Sequence, residues 1–123
     1  MNNDIRILYV EDNEIDTELL LMCFSRYKFT QPIVIDVAET IEEAKMLFDK
    51  NLHQLALIDW NLPDGEGIEV AEFIREKHQT LPLFVLSGLL TSSHEFRAKQ
   101  ANVTGYMEKN YNKAFANHIY SFL

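Results

Sequence analysis

Short apolar runs alternate with segments of helical periodicity along the 123 residues of the chain. A short continuous apolar run that is bounded by turn residues is typical of a strand buried on both faces of a sheet. Runs of this kind predict five strands, at residues 5–10, 33–38, 55–58, 83–87 and 104–107.

Five segments that follow these strands predict helices, and four of them carry apolar residues at helical spacing. These residues are Ile15, Leu19, Met22 and Cys23 in the first helix, Ile41, Ala44, Leu47 and Phe48 in the second, Ile68, Ala71 and Ile74 in the third, and Phe115, Ile119 and Phe122 in the fifth. Thr40 and Glu43 have the spacing of a capping box at the start of the second helix.

The fourth predicted helix differs from the others because its apolar stripe is thin. Ser92 and Glu95 are candidates for its cap, and its apolar surface comes from Phe96, Ala98 and Ala101. A helix with so little to bury is expected to be loosely held and mobile. Asn102 stands where a left-handed residue commonly ends a helix.

Five strands that alternate with five helices predict one α/β domain, residues 1–123, with a doubly wound parallel sheet covered on both faces. The length agrees with a single domain. No internal repeat, low-complexity tract or linker interrupts the alternation.

The charge balance is acidic, with 11 Lys and Arg against 19 Asp and Glu, a net charge of −8. This balance argues against direct binding of nucleic acid or an anionic membrane, because phosphate contacts need clustered cations. It favours the binding of a divalent cation if the acids converge.

The single cysteine, Cys23, excludes an internal disulfide, and no apolar run approaches the roughly 20 residues of a membrane span. We therefore expect a cytoplasmic protein. The four histidines lack ligand spacing and are expected to be ordinary surface or element-end residues.

Polar residues follow the carboxyl ends of four predicted strands, which share one edge of a parallel sheet. They are Glu11, Asp12, Asp59, Asn61, Ser87 and Lys109. Two carboxylates about 5 Å apart repel by about 3 kcal/mol at an effective dielectric constant of about 20, so three together need a cation. Mg²⁺ suits such hard oxygen ligands. A carboxylate nucleophile, a metal, a hydroxyl and an ammonium are the components of phosphoryl transfer.

These motifs together resemble the receiver domain of two-component response regulators. The matching residues are Glu11-Asp12-Asn13, Asp59-x-Asn61-Leu62-Pro63 with Gly67, Ser87-Gly88, and Ala101-x-Val103-x-x-Tyr106-x-x-Lys109. They occur in the family's order and cover essentially the whole chain. The resemblance implies a flavodoxin-like three-layer sandwich with strand order 2-1-3-4-5.

The resemblance also implies a role for each residue. Asp59 would accept a phosphoryl group from a phosphohistidine, and Lys109 would pair with the phosphate. Mg²⁺ would be held by Glu11, Asp12, Asp59 and the backbone carbonyl of Asn61. Ser87 and Tyr106 would be the switch residues.

The partners implied by the family are a histidine kinase or phosphotransfer protein and a downstream protein or effector domain. The downstream partner would bind the face formed by the fourth helix, the fifth strand and the fifth helix. The resemblance allows a phosphorylation-dependent homodimer. It implies a signalling phospho-acceptor that catalyses only its own phosphorylation and dephosphorylation, not an enzyme.

The chain departs from the family where Asn110 replaces the usual proline after Lys109. A cis bond before a residue other than proline costs about 2.5–4 kcal/mol. We therefore expect either a trans bond with a shifted loop or a strained cis bond.

Trp60 is expected to sit over the site as a fluorescent reporter. Leu89 and Leu90 could pack on a partner or cover the sheet edge.

Other functions remain open at this stage. A phosphatase of the haloacid dehalogenase type also uses a strand-end Asp, but it requires a second Asp where this chain has Asn61. A flavodoxin-like cofactor site needs a phosphate cradle after the first strand, where Glu11 and Asp12 would repel phosphate. A receiver-like interaction module that is not phosphorylated is another alternative, and so is a receiver from a larger hybrid kinase or effector protein.

Overall fold

The computed structural model describes residues 4–123, which form twelve short elements. The strands are β1 (Ile5–Val10), β2 (Ile33–Ala38), β3 (Leu55–Asp59), β4 (Asn61–Leu62), β5 (Gly65–Glu66), β6 (Leu83–Ser87) and β7 (Gly105–Glu108). The helices are α1 (Glu14–Arg26), α2 (Ile41–Leu47), α3 (Ile68–Lys77), α4 (Ser92–Gln100) and α5 (Lys113–Tyr120).

Five strands form one parallel sheet in the order β2-β1-β3-β6-β7. The strands β4 and β5 pair separately as a small antiparallel hairpin after β3. When that hairpin is set aside, the order of the main sheet is the predicted 2-1-3-4-5. The α/β fold class and the strand order are confirmed, and among the strands the sequence pattern missed the hairpin.

The sheet separates two apolar layers, which makes the predicted three-layer sandwich. Alternate residues of a strand point to opposite faces, so neighbouring core residues fall in different layers. One layer packs strand residues such as Ile58 and Val85 against α2, α3 and α4. The other packs Leu57 and Phe84 against α1 and α5.

The buried face of α1 differs from the one that the sequence stripe indicated. Ile15 and Met22 are 68% and 65% exposed, and Leu19 is also exposed. Cys23 is buried as the stripe predicted, and it faces the core together with Leu20 and Phe24. Both sets have helical spacing, and the second is buried because Phe24 packs against the rings of Phe115 and Tyr120 on α5. An apolar stripe is therefore left on the surface of α1.

The helix α4 has the weakest attachment to the core, as its thin stripe predicted. Ala98 is its buried residue, and Phe96 is exposed. Its cap is Thr91 and not Ser92, since the Thr91 side chain accepts a hydrogen bond from the His94 N–H at 3.1 Å. Asn102 has the expected left-handed backbone, with φ of 58°.

Gly67 fixes the turn that follows β3. Its N–H donates to the carbonyl oxygen of Trp60 at 2.6 Å. A Cβ atom at this position would collide with the carbonyl oxygen of Asp59. The glycine therefore allows the hairpin to fold back directly against the carboxyl end of β3. Within residues 4–123, no helix has the length and apolarity needed to cross a bilayer.

Candidate functional site

Three carboxylates meet at the carboxyl edge of the sheet. Glu11 and Asp12 follow β1, and Asp59 ends β3. One oxygen from each lies within 4.8 Å of the others. Glu11 and Asp59 are buried, whereas Asp12 is exposed. The cluster is therefore closed at its base and open to solvent on one side.

The ammonium of Lys109 lies among these acids. Its Nζ is 2.9 Å from Glu11 Oε1 and 3.1 Å from Asp59 Oδ1. Asp16, on the first turn of α1, supplies a further contact at 2.9 Å. The Lys109 backbone N–H donates to the carbonyl of Ser87 at 2.8 Å, which ties the residue to β6. One cation thus contacts three acids.

The electrostatics of this cluster follow from burial and crowding. Burial raises the pKa of the Glu11 carboxyl to about 7, although the hydrogen bond from Lys109 opposes this shift. Burial also opposes the charge of the Lys109 ammonium, but hydrogen bonds to Glu11 and Asp16 outweigh it and raise the pKa of Lys109. A single ammonium does not balance four acids, so the cleft retains negative charge.

The donor set fits a hard divalent cation. Three convergent carboxylates with an open side match Mg²⁺, which is usually held by one or two carboxylates and keeps several waters. Asn61 lies two residues past Asp59 at the start of β4, where it is exposed and pairs with Glu66 across the hairpin. Its role as a carbonyl ligand stays a prediction.

Ser87 lies at the end of β6, beside the cluster. Its neighbour Leu86 pairs with Asp59 in the sheet register. The Ser87 hydroxyl is buried and donates to the carbonyl of Leu89 at 2.9 Å. The hydroxyl is therefore held by its own loop rather than by the acids.

Tyr106 lies on β7 opposite Val85 and reaches the same loop. Its hydroxyl donates to the carbonyl of Leu89 at 3.4 Å and accepts from the N–H of Thr91 at 3.3 Å. Ser87 and Tyr106 thus share one carbonyl acceptor.

The bond between Lys109 and Asn110 is trans, since no cis peptide occurs in the described part of the chain. Lys109 still reaches the acids. The loop after it is anchored by Tyr111, whose hydroxyl lies 3.3 Å from that of buried Tyr9. The Tyr9 hydroxyl in turn donates to Glu11 Oε1 at 3.3 Å. The first of the two expected arrangements, the trans bond, is the one observed.

The sequence matches the response regulator receiver domain family over residues 7–118. The chain belongs to this family.

Relatives and solved structures agree with this assignment. The photosynthetic apparatus regulatory protein RegA of Rhodobacter capsulatus is 27% identical over 89% of this chain and 57% of its own length. The non-phosphorylated receiver domain of HemR from Leptospira biflexa is 29% identical with a TM-score of 0.82, covering 96% of this chain and 93% of that domain. TrrA of Thermotoga maritima, solved in complex with Mg²⁺ and BeF, is 27% identical with a TM-score of 0.81, covering 97% and 99%.

The chain spans about half the length of the curated regulators that match it first, such as RegA. The part that is shared is the receiver domain. What those regulators do with the remainder of their length does not transfer to this chain.

Several residues of this receiver's site were not found from the sequence. Asp16 belongs to no motif of the sequence and lies in the first turn of α1, yet it contacts Lys109. Tyr9 and Tyr111 lie 102 positions apart and carry no local signal of their contact. The available clue was Asn110, which replaces the family's usual proline after Lys109, because a loop without that proline requires another anchor.

Trp60 is a core residue of this domain. Its side chain is fully buried in the layer that faces α2, α3 and α4, and its use as a fluorescent reporter of the site stays a prediction. Its ring stacks on His94 at a centroid distance of 3.9 Å. His94 is therefore not an ordinary surface residue. Only knowledge of the α4 position could have predicted this contact.

Proposed function

We propose that this receiver domain accepts a phosphoryl group on Asp59 from a phosphohistidine, and that phosphorylation alters the face formed by α4, β7 and α5. The donor would be a histidine kinase or a phosphotransfer protein. The observation that carries the proposal is the convergence of Glu11, Asp12 and Asp59 around the ammonium of Lys109.

Asp59 is the best-placed nucleophile of the cluster. It ends a central strand, so its backbone is fixed, and its carboxylate already contacts the Lys109 ammonium. Attack by a carboxylate oxygen on phosphorus would release the histidine imidazole as the leaving group. Lys109 would then pair with an oxygen of the transferred group, since a preorganised cation stabilises the charge that develops there.

Glu11, Asp12, Asp59 and the carbonyl of Asn61 would hold Mg²⁺. When bound, the ion would neutralise phosphoryl oxygens that the acids would otherwise repel. The complex of TrrA with Mg²⁺ and BeF supports this reading by similarity. The acidic cluster of this chain supports it directly through its donor types.

Ser87 and Tyr106 would transmit the change. A phosphoryl group adds about 1.5–2 negative charges at pH 7 and strong acceptor oxygens. The Ser87 hydroxyl would leave the Leu89 carbonyl to donate to one of these oxygens. Tyr106 donates to the same carbonyl, and its side chain would then give up that hydrogen bond and turn inward.

Two exposed apolar surfaces support the proposed partners. Ile15, Leu19 and Met22 form a stripe on α1, which begins two residues after Asp12 and therefore flanks the acid cluster. This stripe would contact the phosphoryl donor. Leu89, 73% exposed, and Leu90 do not cover the sheet edge, so they favour the partner alternative at the loop before α4.

The domain would act as a signalling switch that catalyses only its own phosphorylation and dephosphorylation. A reducing cytoplasm suits a chain with one buried cysteine. Phosphorylation-dependent homodimer formation through the α4–β7–α5 face belongs to the same proposal. The unphosphorylated interaction module loses its main support, because Lys109 occupies the acid cluster without the usual proline.

The test is intact-protein mass spectrometry after incubation with acetyl phosphate, with and without Mg²⁺. We expect a gain of one phosphoryl group in the wild type only when Mg²⁺ is present, and no gain in Asp59→Asn. Asp64→Asn is the matched control, since Asp64 lies in the β4–β5 turn and accepts hydrogen bonds from the first residues of α2. An undiminished gain in Asp59→Asn would contradict the proposal.

A further inference from the structure

The side chain of Trp60 is where α4 attaches to the rest of the domain. The His94 ring stacks on the indole with an interplanar angle of 13°. One turn further along α4, the guanidinium of Arg97 lies 5.3 Å from the indole ring centroid. Because α4 buries little beyond Ala98, these two contacts carry much of its placement.

Glu66 on β5 joins the same group of side chains. Its carboxylate receives both terminal nitrogens of Arg97, at 2.7 and 3.1 Å. It also accepts the indole N–H of Trp60 at 3.1 Å. The Arg97 hydrogen bonds, followed by that of Trp60, hold the pKa of Glu66 below its ordinary value. The Arg97–Glu66 ion pair is partly exposed, and a surface ion pair alone adds little stability. Its main effect is therefore to fix the position of Arg97 relative to β5.

The main chain of Trp60 is bound directly to the segment around Asp59. Its N–H donates to the carbonyl of Leu86 at 2.8 Å, and its carbonyl accepts from Gly67. Trp60 therefore links the segment that carries Asp59 to α4, because it is the next residue in the chain and its indole contacts His94 and Arg97. The Tyr106 ring lies 5.8 Å from the indole, so the same cluster also borders the expected switch residue.

We propose that Trp60, Glu66, His94 and Arg97, named here the indole clamp, hold α4 in its resting position and carry the phosphorylation state of Asp59 to that helix. The clamp acts beside the Ser87 and Tyr106 pair and rests on the proposed function of Asp59. Phosphorylation moves the segment after β3 and weakens the clamp, which frees α4. By linkage, weakening the clamp must also favour the phosphorylated arrangement at Asp59.

The test uses beryllofluoride with Mg²⁺ as the phosphoryl mimic and the emission of Trp60, the single tryptophan, as the signal. We expect Arg97→Ala to raise the apparent affinity for beryllofluoride about fivefold or more, the lower range of measured allosteric couplings. Lys99→Ala is the matched control, because Lys99 is on the same helix and forms only an exposed 3.8 Å pair with Glu95. It should bind as the wild type does.

Glu66→Gln provides a second variant on a different element. It should also raise the affinity for beryllofluoride. The double variant should gain less than the sum of the two single changes, because both substitutions remove the same contact between Arg97 and Glu66. Equal affinities in wild type, Arg97→Ala and Glu66→Gln would overturn the clamp, and so would weaker binding in both variants.

The mass gain with acetyl phosphate separates failure of the clamp from failure of the proposed function. A wild type that gains a phosphoryl group while the variants show no affinity change overturns only the clamp. A wild type that neither gains mass nor binds beryllofluoride overturns the proposed function and the clamp with it.

Discussion

Lys109 Nζ lies 3.1 Å from Asp59 Oδ1, although the residue after Lys109 is asparagine and the bond between them is trans. The lysine contacts the Ser87 carbonyl and Asp16, and the Tyr9–Tyr111 pair anchors the loop that follows it. This pairing of an ammonium with the proposed phospho-acceptor is the basis of the predictions that follow.

Replacing Lys109 by Met should destabilise the metal-free protein. Removing one partner of a buried ion pair leaves the other charge uncompensated, which costs about 3 kcal/mol. We expect the free energy of unfolding, measured by urea titration, to fall by about this amount and to recover partly when Mg²⁺ is added. Lys99→Met, on the exposed side of α4, should leave it unchanged. No recovery with Mg²⁺ would argue against a shared metal and lysine site.

Mg²⁺ affinity should depend on pH through Glu11. The pKa of this carboxyl is raised to about 7, mainly by burial, and Mg²⁺ binds the ionised form. Below pH 7 a proton must leave when the ion binds, so the affinity should fall by up to about tenfold per pH unit. Calorimetry at several pH values measures this. Glu11→Gln should bind more weakly and lose most of the pH dependence.

The same shift predicts the pH dependence of stability without metal. The folded pKa of Glu11 lies above its ordinary value of 4.5, so between the two values the native state binds more protons than the unfolded chain. The contribution of Glu11 therefore decreases as pH rises from about 4.5 to about 7. Urea titrations of wild type and Glu11→Gln across this range should diverge. Parallel curves would contradict the raised pKa.

Substituting Gly67 by Ala should move the acceptor. The added Cβ collides with the carbonyl of Asp59, so the turn must shift. Overpacking of this kind costs about 1–3 kcal/mol. We expect lower stability and slower gain of mass with acetyl phosphate. At Gly88 a Cβ meets no atom within 4 Å, so Gly88→Ala should retain wild-type stability.

The Tyr9–Tyr111 pair should support phosphorylation through the position of Lys109. Tyr111→Phe removes one hydroxyl, whose hydrogen bond contributes about 1 kcal/mol to stability. We expect a slower reaction with acetyl phosphate, with an upper limit of about fivefold if all of this energy acts on the transition state. Tyr120→Phe removes a hydroxyl that donates to the carbonyl of Tyr27 at the other end of α1. It should react at the wild-type rate. Equal rates in both variants would exclude a role for the tyrosine pair.

The sequence was sufficient to predict the sheet and the acid cluster for a simple physical reason. Continuous apolar runs mark strands buried on both faces, and parallel strands bring their carboxyl ends to one edge. Asp59 and the two acids after β1 could therefore be assigned to one cleft without coordinates.

Sequence patterns did not predict features for which several arrangements are equally compatible with the sequence. At these positions the tertiary packing selects one arrangement. Two apolar stripes in α1 had helical spacing, and the partner rings on α5 decided that Phe24 is buried and Met22 is not. The contact between Trp60 and His94 joins residues 34 positions apart on elements with no local signal of their meeting. Such contacts are set by packing, which a periodicity does not describe.

The most direct test is to locate the phosphoryl group after reaction with acetyl phosphate and Mg²⁺. Four acids lie in or beside the cleft, so peptide mass mapping of the modified protein distinguishes the proposed acceptor from its neighbours. The account predicts the group on the carboxylate of Asp59 alone. Its presence on Glu11, Asp12 or Asp16, or its absence from every peptide, would contradict the assignment.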